Sequence, residues 1–366
     1  MIFMRQQMEP NKTNKKYFTT SLTNWHATEN SRSLPWKSEK DPYKIWLSEI
    51  ILQQTRALQG LPYYQRFTEV FPTVHAMAAA PDEQAFRLWQ GLGYYNRCKN
   101  MLVTARYIVN ELNGRFPSTY EGLLQLKGIG PYTAAAIASF AFGLPHAVVD
   151  GNVYRVLARY YGIDTPFDTT EGKKVFSTLA GELLDRKNSA AYNQAIMDLG
   201  ATICTPQKPL CEQCPLQKKC TAYHQRELID ILPVRSKKQL VRTRYFNYLL
   251  LKWKDTLWIH KRTNNDIWEN LNEPYLIEST QPLTLNELLA QEQFINLNIS
   301  YSNVKYAGSA TQRLTHQIIN TSFFSIDISK RSNAFLKDGI WLNINELKNT
   351  AFPKTLVSFL ENNLYF

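Results

Sequence analysis

Apolar positions recur with a helical period through most of the first two hundred residues, and no alternating strand pattern appears before residue 230. The clearest helix runs from about Pro42 to Gln54. Tyr43, Trp46, Leu47, Ile50 and Ile51 mark i, i+3, i+4, i+7 and i+8, with Ile45 and Leu52 on the opposite side. A helix apolar almost all round is buried. Shorter helices are predicted over 62–70 and 82–90, starting at Pro62 and Asp82, and over 98–112, with Met101, Leu102, Ala105, Ile108, Val109 and Leu112 in step. Pro131 suits a helix start. Val153, Val156, Leu157 and Tyr160 define another helix entered at Asp150-Gly151-Asn152, and helical segments continue over 171–203.

Residues 226–240 read as a charged linker carrying Pro233, Arg235, Lys237 and Lys238. Beyond it the period changes. Tyr245 to Trp253 and Thr256 to Arg262 form a predicted hairpin about Lys254-Asp255, and Gln317 to Ile328 a further strand. Leu283 to Gln293 and Leu356 to Asn362 look helical. The pattern therefore predicts an all-α region over 19–225 and an α+β domain over 241–366. Residues 1–18 have no apolar run after Lys12, Lys15 and Lys16, so they read as a disordered start and not as a signal peptide.

Composition adds a partner. Of a net charge of +11, all but two charges fall in residues 1–240, which points to a polyanion bound by that part of the chain. No stretch is long and apolar enough to span a bilayer, so a cytoplasmic protein is expected.

Five places carry candidate chemistry. Glu49 lies inside the apolar helix, where a carboxyl without a cation beside it has a raised pKa; the competing reading is a Glu that reaches solvent or a distant Arg. Gly91-Leu92-Gly93-Tyr94-Tyr95 with Arg97 is either a buried turn or a loop that wedges into a base stack. Gly128 and Gly130 allow a tight turn before Pro131, leaving backbone N–H groups free for a phosphate, as in a helix–hairpin–helix. Asp150 or Asn152 suits a helix N-cap, a role compatible with chemistry. Finally, Cys204, Cys211, Cys214 and Cys220 lie within 17 residues, separated by six, two and five residues. That set argues for a metal, and its single Cys-x-x-Cys unit suits an iron–sulfur cube better than zinc. Cys98, far upstream, reads as a core thiol.

In order along the chain, Ile45-Trp46-Leu47-Ser48-Glu49-Ile50 with Gln53-Gln54-Thr55, Gly91 to Tyr95, the 126–138 hairpin, Val149-Asp150-Gly151-Asn152-Val153 and the cysteine set resemble the MutY-type adenine DNA glycosylases of the helix–hairpin–helix glycosylase superfamily. The resemblance is dense over residues 20–225. It implies a six-helix barrel over about 41–144, a cluster domain built from 19–40 and 145–225, and a 4Fe-4S cluster on the four cysteines. The implied activity is removal of adenine paired with 8-oxoguanine or guanine in double-stranded DNA, by base flipping and hydrolysis. Glu49 would be the general acid and Asp150 the anion facing the sugar, as stabiliser or transient nucleophile, with Asn152 and Tyr132 positioning Asp150 and the sugar. Endonuclease III carries a strand-cutting lysine where this chain has Tyr132, so a monofunctional enzyme is expected. The resemblance also implies that Gln54 fills the gap left by the extruded base, that Leu92 and Tyr94 contact 8-oxoguanine, and that Gly128, Gly130 and Lys208 hold phosphates. The second domain resembles the family's Nudix-like lesion-recognition module. Ile267-Trp268-Glu269-Asn270-Leu271 parallels a Trp-x-Gly-Leu-Trp segment, with Asn270 and Asn272 in place of Gly and Trp, and Leu314-Thr315-His316 parallels an element that contacts the lesion. A nucleoid-associated monomer is expected. The alternatives are a bifunctional glycosylase for oxidised pyrimidines, which Tyr132 opposes, and a non-catalytic iron–sulfur DNA sensor, which Glu49 opposes.

Overall fold

The structure is a computed structural model that describes residues 12–236, 241–263, 266–330 and 338–363. It divides into two compact units, Met1–Ala78 with Val103–Lys238, and Ala79–Leu102 with Gln239–Phe366. The division is not the expected one at the 226–240 linker, because residues 79–102 group with the C-terminal part of the chain, and it falls inside the helix Asn96–Glu111.

The first unit is helical. Asp41 caps the helix Pro42–Leu52 through a hydrogen bond from Tyr43 N, and every residue from Ile45 to Ile51 is buried, as the all-round apolar pattern predicts. This helix packs on Pro131–Phe142, whose Ala134, Ala135, Ala136 and Ala138 are buried and permit a close approach. The next helix is Ala57–Val70, with Pro62 inside it and not at its start. Pro62 cannot donate the helical hydrogen bond to the carbonyl of Leu58, a residue that is 83% exposed. A second core joins Phe18, Leu22 and Trp25 to the helices Gly151–Tyr161, Thr170–Leu183 and Ser189–Thr202.

Two expectations are corrected by that core. Residues 12–28 form a helix, so the stretch read as a disordered start is folded from Lys12 onward; residues 1–11 lie outside the described residues. The stretch read as a linker begins with the helix Leu228–Ile231, and Leu228 and Leu232 are buried in the same core. Ser236 N donates to Asp168, while residues 237–240 lie outside the described residues.

The second unit is built on a seven-stranded sheet: β1 (Arg242–Trp253), β2 (Thr256–Lys261), β3 (Asn272–Glu273), β4 (Tyr275–Ser279), β5 (Tyr301–Arg313), β6 (Gln317–Ile328) and β7 (Gly339–Asn343). The main path runs β3-β2-β1-β6-β5, with β4 paired to β1 and β7 to β2. β1 and β6 are parallel and the other pairs antiparallel. Leu249, Leu251, Phe324 and Ile326 pack with Leu288 and Phe294 from two short helices, Leu285–Leu289 and Glu292–Asn296, where one longer helix was expected. Phe323 stacks on Phe359 of the helix Lys354–Asn362, with ring centroids 3.7 Å apart. The sheet thus carries helices on both faces.

Candidate active site and cluster loop

Glu49 lies on the buried helix Pro42–Leu52 and is 5% exposed. Burial raises its pKa from 4.5 to about 7; the hydrogen bond from Tyr132 opposes the rise, and the charge of Asp150 adds to it. Tyr132, from the second position of the helix Pro131–Phe142, donates its hydroxyl to Glu49 Oε2 at 2.6 Å. Its own pKa is raised well above 10.0 by burial and by the two carboxylates, so it remains a donor.

Asp150 is the N-cap of the helix Gly151–Tyr161. Its Oδ1 accepts from Val153 N at 2.8 Å, and its Oδ2 accepts from Asn152 Nδ2 at 2.8 Å. Burial pushes the carboxyl up, and these hydrogen bonds with the Arg155 charge hold it back. The resemblance implies that Asn152 and Tyr132 both position Asp150 and the sugar; in the structure Asn152 bonds Asp150, whereas the Tyr132 hydroxyl bonds Glu49. The result is two carboxyls that feel each other's charge, one desolvated and bonded to a neutral hydroxyl, the other capped by N–H donors. A pair so differentiated is equipped for acid catalysis beside anion stabilisation.

The four cysteines follow the helix Ser189–Thr202 and line one cavity together with Arg159, Gln217 and Tyr223. Among the described residues no set of His, Cys, Asp or Glu closes on a point that a single metal ion would occupy. Thiols that surround a space fit a polynuclear cluster. Burial pushes the thiols of Cys214 and Cys220 up to about 12 and about 11, so they require a cation to ionise. Arg159, buried on the helix Gly151–Tyr161, points a guanidinium nitrogen at Cys204 Sγ, 3.6 Å away. It also donates to the carbonyls of Thr205, Pro206, Ile229 and Leu232. Arg155, one turn earlier, donates to the carbonyls of Cys204 at 2.7 Å and Gly200 at 2.6 Å and to Asn152 Oδ1 at 2.8 Å.

The expected DNA contacts fall in both units. In the first, Gln54 is exposed with φ 56°, and Lys208 is exposed with φ 47° on the cysteine loop. Gly128 has φ 80° and needs to be glycine. Gly130, with φ −92°, does not: the sequence expectation of strain at both glycines is corrected, because a Cβ at Gly130 meets only open space. In the second unit the hydroxyls of Tyr94 and Thr315 hydrogen-bond each other, joining the Gly91–Tyr95 loop to the β5–β6 turn that also carries exposed His316. Tyr94 is 47% exposed; Leu92, expected to share its role, is buried at 6%.

Sequence reading missed Arg155, Arg159, Asn193, Asp198 and Gly200. The two arginines carried a signal, being cations four apart inside an apolar helical repeat. Asp198 carried none. Its carboxylate accepts from Asn30, Arg32 and Lys37, with His26 at 3.5 Å, and so fastens residues 26–37 to the helix Ser189–Thr202. Burial alone would raise its pKa, but these partners hold it well below the usual range.

A helical region with a carboxyl pair and a four-cysteine loop defines a class. Residues 47–179 match the family model of HhH-GPD superfamily base excision DNA repair proteins, and residues 204–220 that of the iron–sulfur binding domain of endonuclease III. A thermostable thymine-DNA glycosylase shares the fold with a TM-score of 0.54 and 31% identity, over 58% of this chain and 98% of its own. Endonuclease III in a non-covalent DNA complex shares it at 0.52 and 22%, over 60% of this chain and 100% of its own. The chain belongs to the adenine DNA glycosylase family. It is 32% identical over 348 residues to the adenine DNA glycosylase of Buchnera aphidicola subsp. Schizaphis graminum, covering 94% of this chain and 98% of that protein. The human enzyme is 42% identical over 224 residues, 59% of this chain and 41% of its own. The cysteine loop is accordingly the site of a 4Fe-4S cluster. No described helix is long and apolar enough to cross a membrane.

Proposed function

We propose that the protein is a monofunctional glycosylase that removes adenine opposite 8-oxoguanine or guanine from double-stranded DNA. The observation that carries this reading is the pair of unlike carboxyls, Glu49 and Asp150. At neutral pH a large fraction of Glu49 holds its proton and delivers it to a ring nitrogen of the flipped adenine. The glycosidic bond then breaks, its electron pair leaving with the neutral base. Asp150 supplies the negative charge that the oxocarbenium-like sugar requires. Water adds to the sugar carbon and gives a proton to the Glu49 carboxylate, which restores the acid and leaves an abasic site. Tyr132 occupies the hairpin position where a lysine would form a Schiff base, and its hydroxyl is committed to Glu49.

Gly128 and the open space at Gly130 suit a close phosphate at the helix N-terminus, with Gln54 and Lys208 as further DNA contacts. The second unit takes the Nudix-like, lesion-reading role. Two features support it: the Tyr94–Thr315 bond, and φ 69° at Asn270, a left-handed position that suits Asn as it suits the family's Gly. The protein acts as a monomer at the nucleoid. When bound, the 4Fe-4S cluster ties the cysteine loop into one piece.

The test is purified protein on duplexes carrying A opposite 8-oxoguanine, A opposite G, and thymine glycol. Alkali-dependent cleavage is expected at A alone, without borohydride trapping of a covalent complex. Glu49→Gln should slow excision by roughly 10²- to 10⁴-fold. Retained activity in that variant would sink the mechanism.

A further inference from the structure

The helix Ser189–Thr202 touches the chain on both sides of Asp150. Before it, Asn193 is fully buried and has donors and acceptor engaged. Its Nδ2 donates to the carbonyl of His146 at 2.8 Å and to Ser139 Oγ at 2.9 Å, and its Oδ1 accepts from Val148 N at 3.1 Å. The extended approach to Asp150 is thereby fixed two residues ahead of the carboxylate. After it, Gly200 lies against Asn152. A Cβ at Gly200 would stand 2.6 Å from Asn152 Cβ and 3.1 Å from its Cα and carbonyl oxygen, contacts that backbone cannot yield to. Gly200 is in ordinary helical backbone, so space and not φ requires the glycine. Its carbonyl also receives the Arg155 nitrogen that donates to Asn152 Oδ1, which leaves Asn152 Nδ2 directed at Asp150.

We propose that Gly200 and Asn193 are positioning residues for base excision, holding Asp150 in register by fixing the chain two residues before it and two residues after it. The proposal rests on the reading of Asp150 as the anion that faces the sugar. The groups that bear electrostatically on Asp150 are Glu49, Tyr132, Tyr154 and Arg155. On the helix Ser189–Thr202 itself, Asp198 is committed to Arg32 and Lys37.

The test is single-turnover excision of A opposite 8-oxoguanine across pH, using the full-length, cluster-loaded protein. Gly200→Ala displaces Asn152 and its hydrogen bond, so Asp150 protonates at higher pH. The acid limb of the profile should move up while the alkaline limb, set by Glu49, stays in place. The maximal rate should fall roughly ten- to a hundredfold with duplex affinity unchanged. In an Asn152→Gly background the same Gly200→Ala change should cost clearly less than in the wild type, because the 2.6 Å contact and the hydrogen bond it displaces are gone and only the 3.1 Å backbone contacts remain. Asn193→Ala adds no atoms and gives a second reading of the rate. Melting temperature and visible absorption confirm folding. Either variant, folded, with wild-type rate and acid limb would overturn the proposal, as would full additivity of the Gly200 and Asn152 changes. Retention of excision by Asp150→Asn would instead defeat the reading beneath it, so the two failures are distinguishable.

Discussion

Glu49 is held in a form that its own ionisation opposes. In the unfolded chain the carboxyl releases its proton near 4.5, whereas in the fold it does so at about 7. Between those values only the unfolded chain gains by ionising, so stability falls as pH rises. The penalty is absent below 4.5 and complete above 7, at ~3 kcal/mol from ~1.4 kcal/mol per pKa unit. Glu49→Gln should therefore raise the melting temperature by several degrees at pH 8 and by clearly less at pH 5.5, while excision slows. Equal gains at both pH values would show that the folded pKa is not raised. Glu49 was legible because it is the wrong residue for an apolar helix, and the cysteines because type and spacing together specify them. Gly200 was not legible. Its need for a missing side chain exists only against Asn152, 48 positions earlier, and no local pattern records that proximity.

Among the elements, those whose apolar residues face one core could be read, and those without such a face could not. β1 and β6 are buried at most positions and were predicted nearly to their ends. β5 is mostly exposed along 13 residues and owes its form to pairing with β6, so its sequence carries no alternation. The helix Lys12–Thr28 did carry a signal in Phe18, Leu22 and Trp25, at i, i+4 and i+7, which three lysines in its first turns obscured. The pairing of the Gly91–Tyr95 loop with the β5–β6 turn belongs to this scale as well, since it depends on a strand the sequence hid. Thr315→Val removes the hydroxyl that meets Tyr94. It should narrow the preference for 8-oxoguanine over guanine opposite the adenine by about two- to tenfold, as one hydrogen bond of ~0.5–1.5 kcal/mol allows. Thr315→Ser should retain the preference. Relative excision rates on the two duplexes decide the matter, and an unchanged ratio in Thr315→Val would remove the turn from lesion reading.

For the whole molecule, the sequence predicts a division at a linker, whereas the second compact unit of the structure draws its residues from both sides of it. Residues 79–102 group with the C-terminal unit through contacts such as Lys99 with Glu269 at 3.0 Å and Glu83 with Ala351 N at 2.8 Å. Such pairings join residues 170 or more positions apart and leave no trace in composition. The cluster loop likewise depends on distant parts of the chain. Arg159→Lys keeps the charge but loses the planar fork that reaches several carbonyls at once. Iron content and visible absorption per chain should fall, with the melting transition shifted down. Wild-type iron content in that variant would show that the cysteines alone secure the loop.

Arg159 has a consequence for how the protein is made. It bonds carbonyls at the start of the cysteine loop, at Thr205 and Pro206, and again beyond the loop, at Ile229 and Leu232. The polypeptide itself therefore fastens the loop to the chain beyond it, with an arginine that leaves the ribosome 45 residues ahead of Cys204. The start of the loop and the chain beyond it are therefore held through the helix Gly151–Tyr161 as well as through the cysteines, and the residue that fastens them is synthesised before either.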